Sequence, residues 1–106
     1  MHTTLIVIYT DRLQECTDFY TSVGLPLQIE QHGNGPEHYA TELGTTLFEL
    51  YPTSERRPAT GSLRLGFRIP DHAVARELPP GRHLLTDPDG RTVALEIIKE
   101  TTRRTA

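Results

Sequence analysis

The chain contains one cysteine, Cys16, which excludes an internal disulfide and any zinc site built on a cluster of thiolates. No apolar run approaches the ~18 residues needed to span a bilayer. The opening Met1-His2-Thr3-Thr4 lacks the basic segment of a secretory leader, so a cytoplasmic chain is expected. Also absent are the Gly-x-x-x-x-Gly-Lys phosphate loop, the Gly-x-Gly-x-x-Gly turn, the Gly-x-Ser-x-Gly elbow and the His-Glu-x-x-His metal pair. Ser22, Ser54 and Ser62 have no neighbouring triad pattern. What remains is ordinary for a folded domain: 106 residues, 36% of them apolar and 24% charged. About 38 apolar side chains suffice for one core and not for two, and the composition argues against disorder.

Positive charge is scarce in one half only. Residues 1–51 carry seven carboxylates against Arg12 alone, while residues 52–106 carry seven against ten bases, near −6 and +3 for a total of −3. An acidic chain with scattered arginines is a poor binder of duplex nucleic acid. The asymmetry suits attraction between the halves, within a chain or across a homodimer.

Periodicity predicts a strand over residues 5–9, capped by Thr10 or Asp11, then a helix whose apolar stripe is Leu13, Cys16, Phe19, Tyr20 and Val23. Cys16 on that stripe reads as a small core residue rather than a nucleophile. Gly24 and Pro26 stop the helix. A strand over 25–31 follows, then the Gly33-Asn34-Gly35-Pro36 loop and a hairpin of 38–43 and 46–51 around Gly44-Thr45. Residues 52–61 read as a linker. The order then repeats in shorter form: a strand at 63–69, a helix at 72–78 stopped by Pro79-Pro80-Gly81, and strands at 83–86 and 92–98 around the Asp87-Pro88-Asp89-Gly90 turn. Residues 99–106 form a polar tail.

The hairpin register pairs Leu43 with Thr46, Glu42 with Leu47, Ala40 with Glu49 and His38 with Tyr51. Alternation turns Tyr39, Leu43, Phe48 and Leu50 toward the helix and His38, Ala40, Glu42, Leu47, Glu49 and Tyr51 away from it. The same parity assigns Thr4, Ile6 and Ile8 to that second face. In the second half Leu65, Phe67, Ile69, Val93, Leu95 and Ile97 face the helix side, leaving Arg64, Gly66, Arg68, Thr92, Ala94 and Glu96 opposite. A slip of one residue in either register would invert these sets.

Asp11-Arg12-Leu13, Asp18-Phe19-Tyr20 and Val23-Gly24-Leu25, followed by Phe48-Glu49-Leu50, Gly66-Phe67-Arg68-Ile69-Pro70-Asp71 and Asp87-Pro88-Asp89-Gly90, resemble in this order the vicinal oxygen chelate superfamily. That superfamily includes glyoxalase I, extradiol dioxygenases and bleomycin-resistance proteins. The resemblance covers roughly residues 4–98. It implies an α+β fold of two βαβββ modules, 1–51 and 62–98, the second shortened. These form a curled mixed sheet with helices on its outside, and a dimer commonly completes the site.

The resemblance also implies where a divalent metal would be held, and the matching positions carry Thr4, Glu49, Arg64 and Ala94. One donor beside a guanidinium cannot hold such a cation, and Glu96 lies about 7 Å further along its strand from Ala94. No metal and no cofactor are therefore expected. Glu49 then has three readings: an ion pair with Arg64, a contact to a polar group of a ligand, or a metal-free general base. His38 beside Tyr51 reads as a satisfied residue or a proton-transfer pair. His2, His32, His72 and His83 read as surface residues, and Arg56-Arg57 as a solvated pair. The candidate ligand-binding residues are Ile6, Ile8, His38, Leu47, Glu49, Tyr51, Arg64 and Arg68, a mixed lining suited to an amphipathic small organic ligand. The resemblance supplies antibiotic sequestration of the bleomycin-resistance type as its precedent, which favours a binder over an enzyme. Two alternatives stand beside it. One is a metal-dependent lyase, isomerase or dioxygenase. The other is a partner-binding module without catalysis, suggested by only three residues between Leu78 and Arg82 where the family fits an extra strand.

Overall fold

The β-branched and aromatic residues near the N-terminus form β1, Leu5–Thr10, in the computed structural model, which describes residues 1–100. Helix α1, Leu13–Ser22, follows at once and buries Cys16, Thr17 and Tyr20. Neither expected cap bonds a helical N–H: the Thr10 hydroxyl accepts from the Arg12 N–H at 2.9 Å, and the Asp11 carboxylate takes the hydroxyl of Thr53. The far end closes as the glycine pattern requires. Gly24 adopts φ +114°, its N–H donates to the Thr21 carbonyl and that of Leu25 to Tyr20, a Schellman closure.

The remaining strands are β2 (Gln28–Glu30), β3 (His38–Leu43), β4 (Thr46–Pro52), β5 (Arg64–Pro70), β6 (Gly81–Thr86) and β7 (Thr92–Ile98). β2 is shorter than the 25–31 expected. The Leu25 N–H is committed to the helix end, Pro26 has none, and the Leu27 N–H turns back to the Leu25 carbonyl at 2.8 Å. The helix expected at 72–78 is only a 3-10 turn, Asp71–Ala73. Two apolar anchors ahead of two prolines are too few to nucleate a helix. The backbone N–H groups of Ala75 and Arg76 bond instead to the Ser22 carbonyl, latching this segment to the end of α1. Residues 101–106, most of the expected polar tail, lie outside the described residues.

The strands make two mixed sheets, ordered β1-β4-β3-β2 and β5-β7-β6, each with one parallel pair, β1 with β4 and β5 with β7. The hairpin register is as read from the turn, with Leu43 opposite Thr46, Glu42 opposite Leu47 and Ala40 opposite Glu49. The parallel register differs from expectation. Ile6 pairs with Phe48 and Ile8 with Leu50, so both isoleucines point toward α1, and Ile8 is fully buried. Leu5, Val7 and Tyr9 take the opposite face, beside Leu47, Glu49 and Tyr51. The inner faces of both sheets share a single core with α1: Ile8, Phe48 and Leu50 from one, Ile69, Val93, Leu95 and Ile97 from the other, around Tyr20 and Val23. The outer faces consequently turn away from each other, in a molecule 54 Å long and about half as wide.

Cys16 sits inside this seam with its Sγ 3.5 Å from the Thr10 hydroxyl. Burial, opposed by that hydrogen bond and reinforced by the charges of Asp89 and Asp87, pushes its thiol up to about 11. The thiolate is the nucleophile, so iodoacetamide at mildly alkaline pH should label the native chain far more slowly than the denatured one. Equal rates would show that the seam opens readily.

Candidate functional site

On the outer face of the first sheet the register builds two rows across the strands. One runs Val7, Glu49, Ala40, Gln28; the next carries Tyr9, Tyr51, His38 and Glu30. The second row is an aromatic ladder. Tyr9 and Tyr51 are 5.9 Å apart between ring centroids, Tyr51 stacks on His38 at 4.0 Å and 10°, and His32 from the following loop lies 5.1 Å from His38. His38 is 1% exposed and Glu49 8%, an unusual depth for charged or polar side chains on a sheet's outer face. They are held because the carboxylates of Glu30 and Glu49 approach His38 Nε2 at 3.3 and 3.5 Å. Burial first, then the charge of Glu49, raises the Tyr51 phenol, which keeps it a hydrogen-bond donor at neutral pH.

On the second sheet the outer rows are Arg64, Thr92, Thr86; Gly66, Ala94, Leu84; and Arg68, Glu96, Arg82. Arg68 Nε donates to Glu96 at 2.9 Å, and that hydrogen bond with its charge holds the Glu96 carboxyl below its ordinary range. Leu84, 71% exposed, stands in the middle of this basic face.

Of the eight residues singled out from sequence, the structure brings together His38, Leu47, Glu49 and Tyr51. Ile6 and Ile8 belong to the inner face, for the register reason given above. Arg64 and Arg68 line the other sheet. The expected Glu49–Arg64 ion pair does not form: Glu49 meets His38, and Arg64 is exposed on a face directed away from Glu49. The superfamily's metal positions fare no better. Thr4 and Arg64 are exposed, Ala94 has no donor, and Glu49 is left as a lone carboxylate against a histidine. This set does not fit a divalent cation.

Four residues outside the candidate ligand-binding set contribute here, among them His32, read from sequence as a surface residue, and Arg57, read as half of a solvated pair. Glu30 faces His38 because β2 pairs antiparallel with β3, and His32 closes over both, with its Nε2 3.4 Å from Glu30. The Glu-x-His…His spacing on either side of a glycine-rich turn was the available signal. Tyr9 extends the ladder. Arg57 joins through the segment after β4, where Ser54 and Arg57 form a small bridge and Thr60 pins the Tyr9 backbone. A cavity of about 360 Å³ opens between Tyr9, Tyr51 and Pro36 on one side and Thr53, Ser54 and Arg57 on the other. A larger cleft, about 530 Å³, lies at the seam between the halves, where Ile6, Leu43 and Phe67 meet Glu42 and Arg68, so two of the expected site residues, Ile6 and Arg68, share it. The outer-face cavity is the better site for an aromatic ligand, because Tyr9 and Tyr51 line it and buried His38 stacks on Tyr51.

No protein-family profile and no curated protein matches the sequence. Among solved structures, the chain is similar to TnmS3, an antibiotic binding protein from Streptomyces sp. CB03234, with TM-score 0.62 and 23% identity over 92% of this chain and 95% of that one. It is also similar to a glyoxalase/bleomycin resistance protein from Albidiferax ferrireducens T118, with TM-score 0.60 and 19% identity over 90% and 97%. A lactoylglutathione lyase from Agrobacterium tumefaciens aligns with TM-score 0.55 and 17% identity over 91% and 92%.

Proposed function

We propose, for a chain with the vicinal oxygen chelate fold, that it binds an amphipathic, partly aromatic organic molecule in the cytoplasm by shape and charge, as a stoichiometric trap. The antibiotic-binding and bleomycin-resistance proteins that share the fold provide the precedent. The carrying observation is the pair of outer faces. One presents the Tyr9–Tyr51–His38 ladder with Glu49; the other presents Arg64, Arg68 and Arg82 around exposed Leu84. Each is half of a lined cup, and a single chain cannot close them on each other because both turn their backs to the shared core. In a homodimer the acidic first half of one copy would meet the basic second half of its partner.

Two measurements test this reading. Light scattering after gel filtration should show a dimer at low salt that weakens as salt is raised, since exposed charges are screened. A monomer at low salt would remove the shared cup. A panel of bleomycin and other amphipathic aromatic antibiotics should include at least one that raises Tm. Ligand at 100 times its Kd adds about 2.7 kcal/mol, or roughly 10 °C or more for a domain of this size. The same ligand should be recovered chemically unchanged, and turnover would replace the trap with a catalyst.

A further inference from the structure

The side chains around His38 pose a chemical problem of their own. Nδ1 of His38 lies 3.2 Å from the Pro36 carbonyl. A carbonyl can only accept, so Nδ1 carries the proton and donates it. In the neutral ring Nε2 is then a bare lone pair, 1% exposed as a residue, aimed at Glu30 Oε1 at 3.3 Å and Glu49 Oε2 at 3.5 Å. The Nε2 of His32 approaches the same Glu30 oxygen at 3.4 Å. Two imidazole nitrogens meet at one Glu30 oxygen, the Glu49 carboxylate approaches one of them, and acceptors facing acceptors repel unless something positive stands between them.

We propose that Glu30, His32 and His38 form a binding site for a divalent cation of zinc's type, with Glu49 supplying a second negative charge beside it. The ligand atoms of the three residues all lie within 4.8 Å of one another. Zinc bound at 2.0–2.1 Å to nitrogen and oxygen in a tetrahedron separates its ligand atoms by about 3.3 Å, and the two nitrogen-to-Glu30 distances are 3.3 and 3.4 Å. Two imidazoles and a carboxylate are a donor set suited to zinc, and the Nδ1–H bond to Pro36 fixes the tautomer that presents Nε2, the role outer-shell partners commonly have at such sites. None of these three residues stands at the positions the superfamily resemblance assigns to a metal. All three come from one short stretch, β2, its loop and the first residue of β3, so a single chain completes the set. A bound cation would staple the Gly33-Asn34-Gly35-Pro36 loop over the end of the aromatic ladder and set a Lewis acid at the rim of the cavity that Pro36 and Tyr51 line.

The test uses the full-length chain stripped with a chelator and titrated with zinc ion alone by calorimetry, with cobalt as a spectroscopic substitute. One equivalent should bind saturably, and cobalt should give the intense visible bands of a tetrahedral site with nitrogen and oxygen donors. Affinity should fall as pH is lowered through the imidazole range, because protons compete for the ring nitrogens. His32→Ala and Glu30→Gln should each weaken binding by about 100-fold or more. His32 is 73% exposed at its side chain, so its loss leaves folding intact. His83→Ala, on β6, serves as the control and should change nothing. Absence of saturable zinc binding, or binding that survives both His32→Ala and Glu30→Gln, would overturn the site.

Discussion

Arg91→Ala is expected to destabilise the fold by about 3–5 kcal/mol, a large share of the roughly 5–15 kcal/mol that a domain of this kind has in all. Arg91 is 2% exposed, and its guanidinium ties the β6–β7 turn to Gly61 ahead of β5 and to β1. Nη1 lies 3.1 Å from Asp87 Oδ2 and 3.0 Å from Asp89 Oδ2, Nε donates to the Gly61 carbonyl at 3.1 Å, and Nη2 to the Tyr9 carbonyl at 3.3 Å. Asp87 has no exposed side-chain surface, and it also takes the Tyr20 hydroxyl at 2.6 Å and the N–H groups of Asp89 and Arg91. Burial, then the bond to Asp87, raises the Tyr20 phenol, so it remains a donor throughout the neutral range. Deleting the guanidinium leaves Asp87 charged, buried and without its counterion, which costs far more than an exposed pair would. Urea unfolding followed by circular dichroism should show the midpoint fall steeply. Adding Asp87→Asn to Arg91→Ala should recover part of the loss, because no uncompensated charge then remains. A loss below about 1 kcal/mol for Arg91→Ala would mean that this network does not hold the halves together.

Gly24→Ala is the second large effect. A Cβ at that position would meet Ile69 Cγ2 at 2.7 Å, with the Ala73 carbonyl at 3.4 Å, and the backbone stands at φ +114°. The left-handed backbone costs an L-residue about 1–2 kcal/mol, and forcing the extra methyl against β5 costs about 1–3 more. Gly44→Ala separates the two contributions. Its φ is +61° and nothing lies within 4 Å of the added Cβ, so it bears only the backbone cost. Thermal unfolding should therefore lower Tm by about 10 °C or more for Gly24→Ala and distinctly less for Gly44→Ala. Equal shifts would show that α1 and β5 can part without cost at this point.

These residues mark the boundary of what could be read from sequence. The β3–β4 register follows from a two-residue turn, and a turn is local chemistry, so His38, Leu47, Glu49 and Tyr51 were placed on one face correctly. Alternation over 64–69 and 92–97 likewise separated the core side of β5 and β7 from Arg64, Arg68 and Glu96. Ile6 and Ile8 went to the wrong face because β1 reaches β4 through a parallel pairing that no turn sets; only burial against α1 does. The Asp87-Pro88-Asp89-Gly90 signal announced a turn and was silent about the arginine after it, whose partners lie 30 and 82 residues away. The short helix at 72–78 was inferred from spacing alone, and the α1 terminus claimed that segment's backbone instead.

By itself the sequence determined the α+β order of elements, the hairpin, and the inward and outward sets of the second sheet. All of these depend on residue type and on neighbours within a few positions. Only the tertiary structure decided that both sheets turn their apolar sides to a single core, which separates Glu49 from Arg64 and directs the two lined faces outward. It also decided that Glu30, His32 and His38 meet. Those outcomes come from burying as much apolar surface as two small sheets and one helix can share, a global optimum to which each segment contributes and which none of them encodes alone.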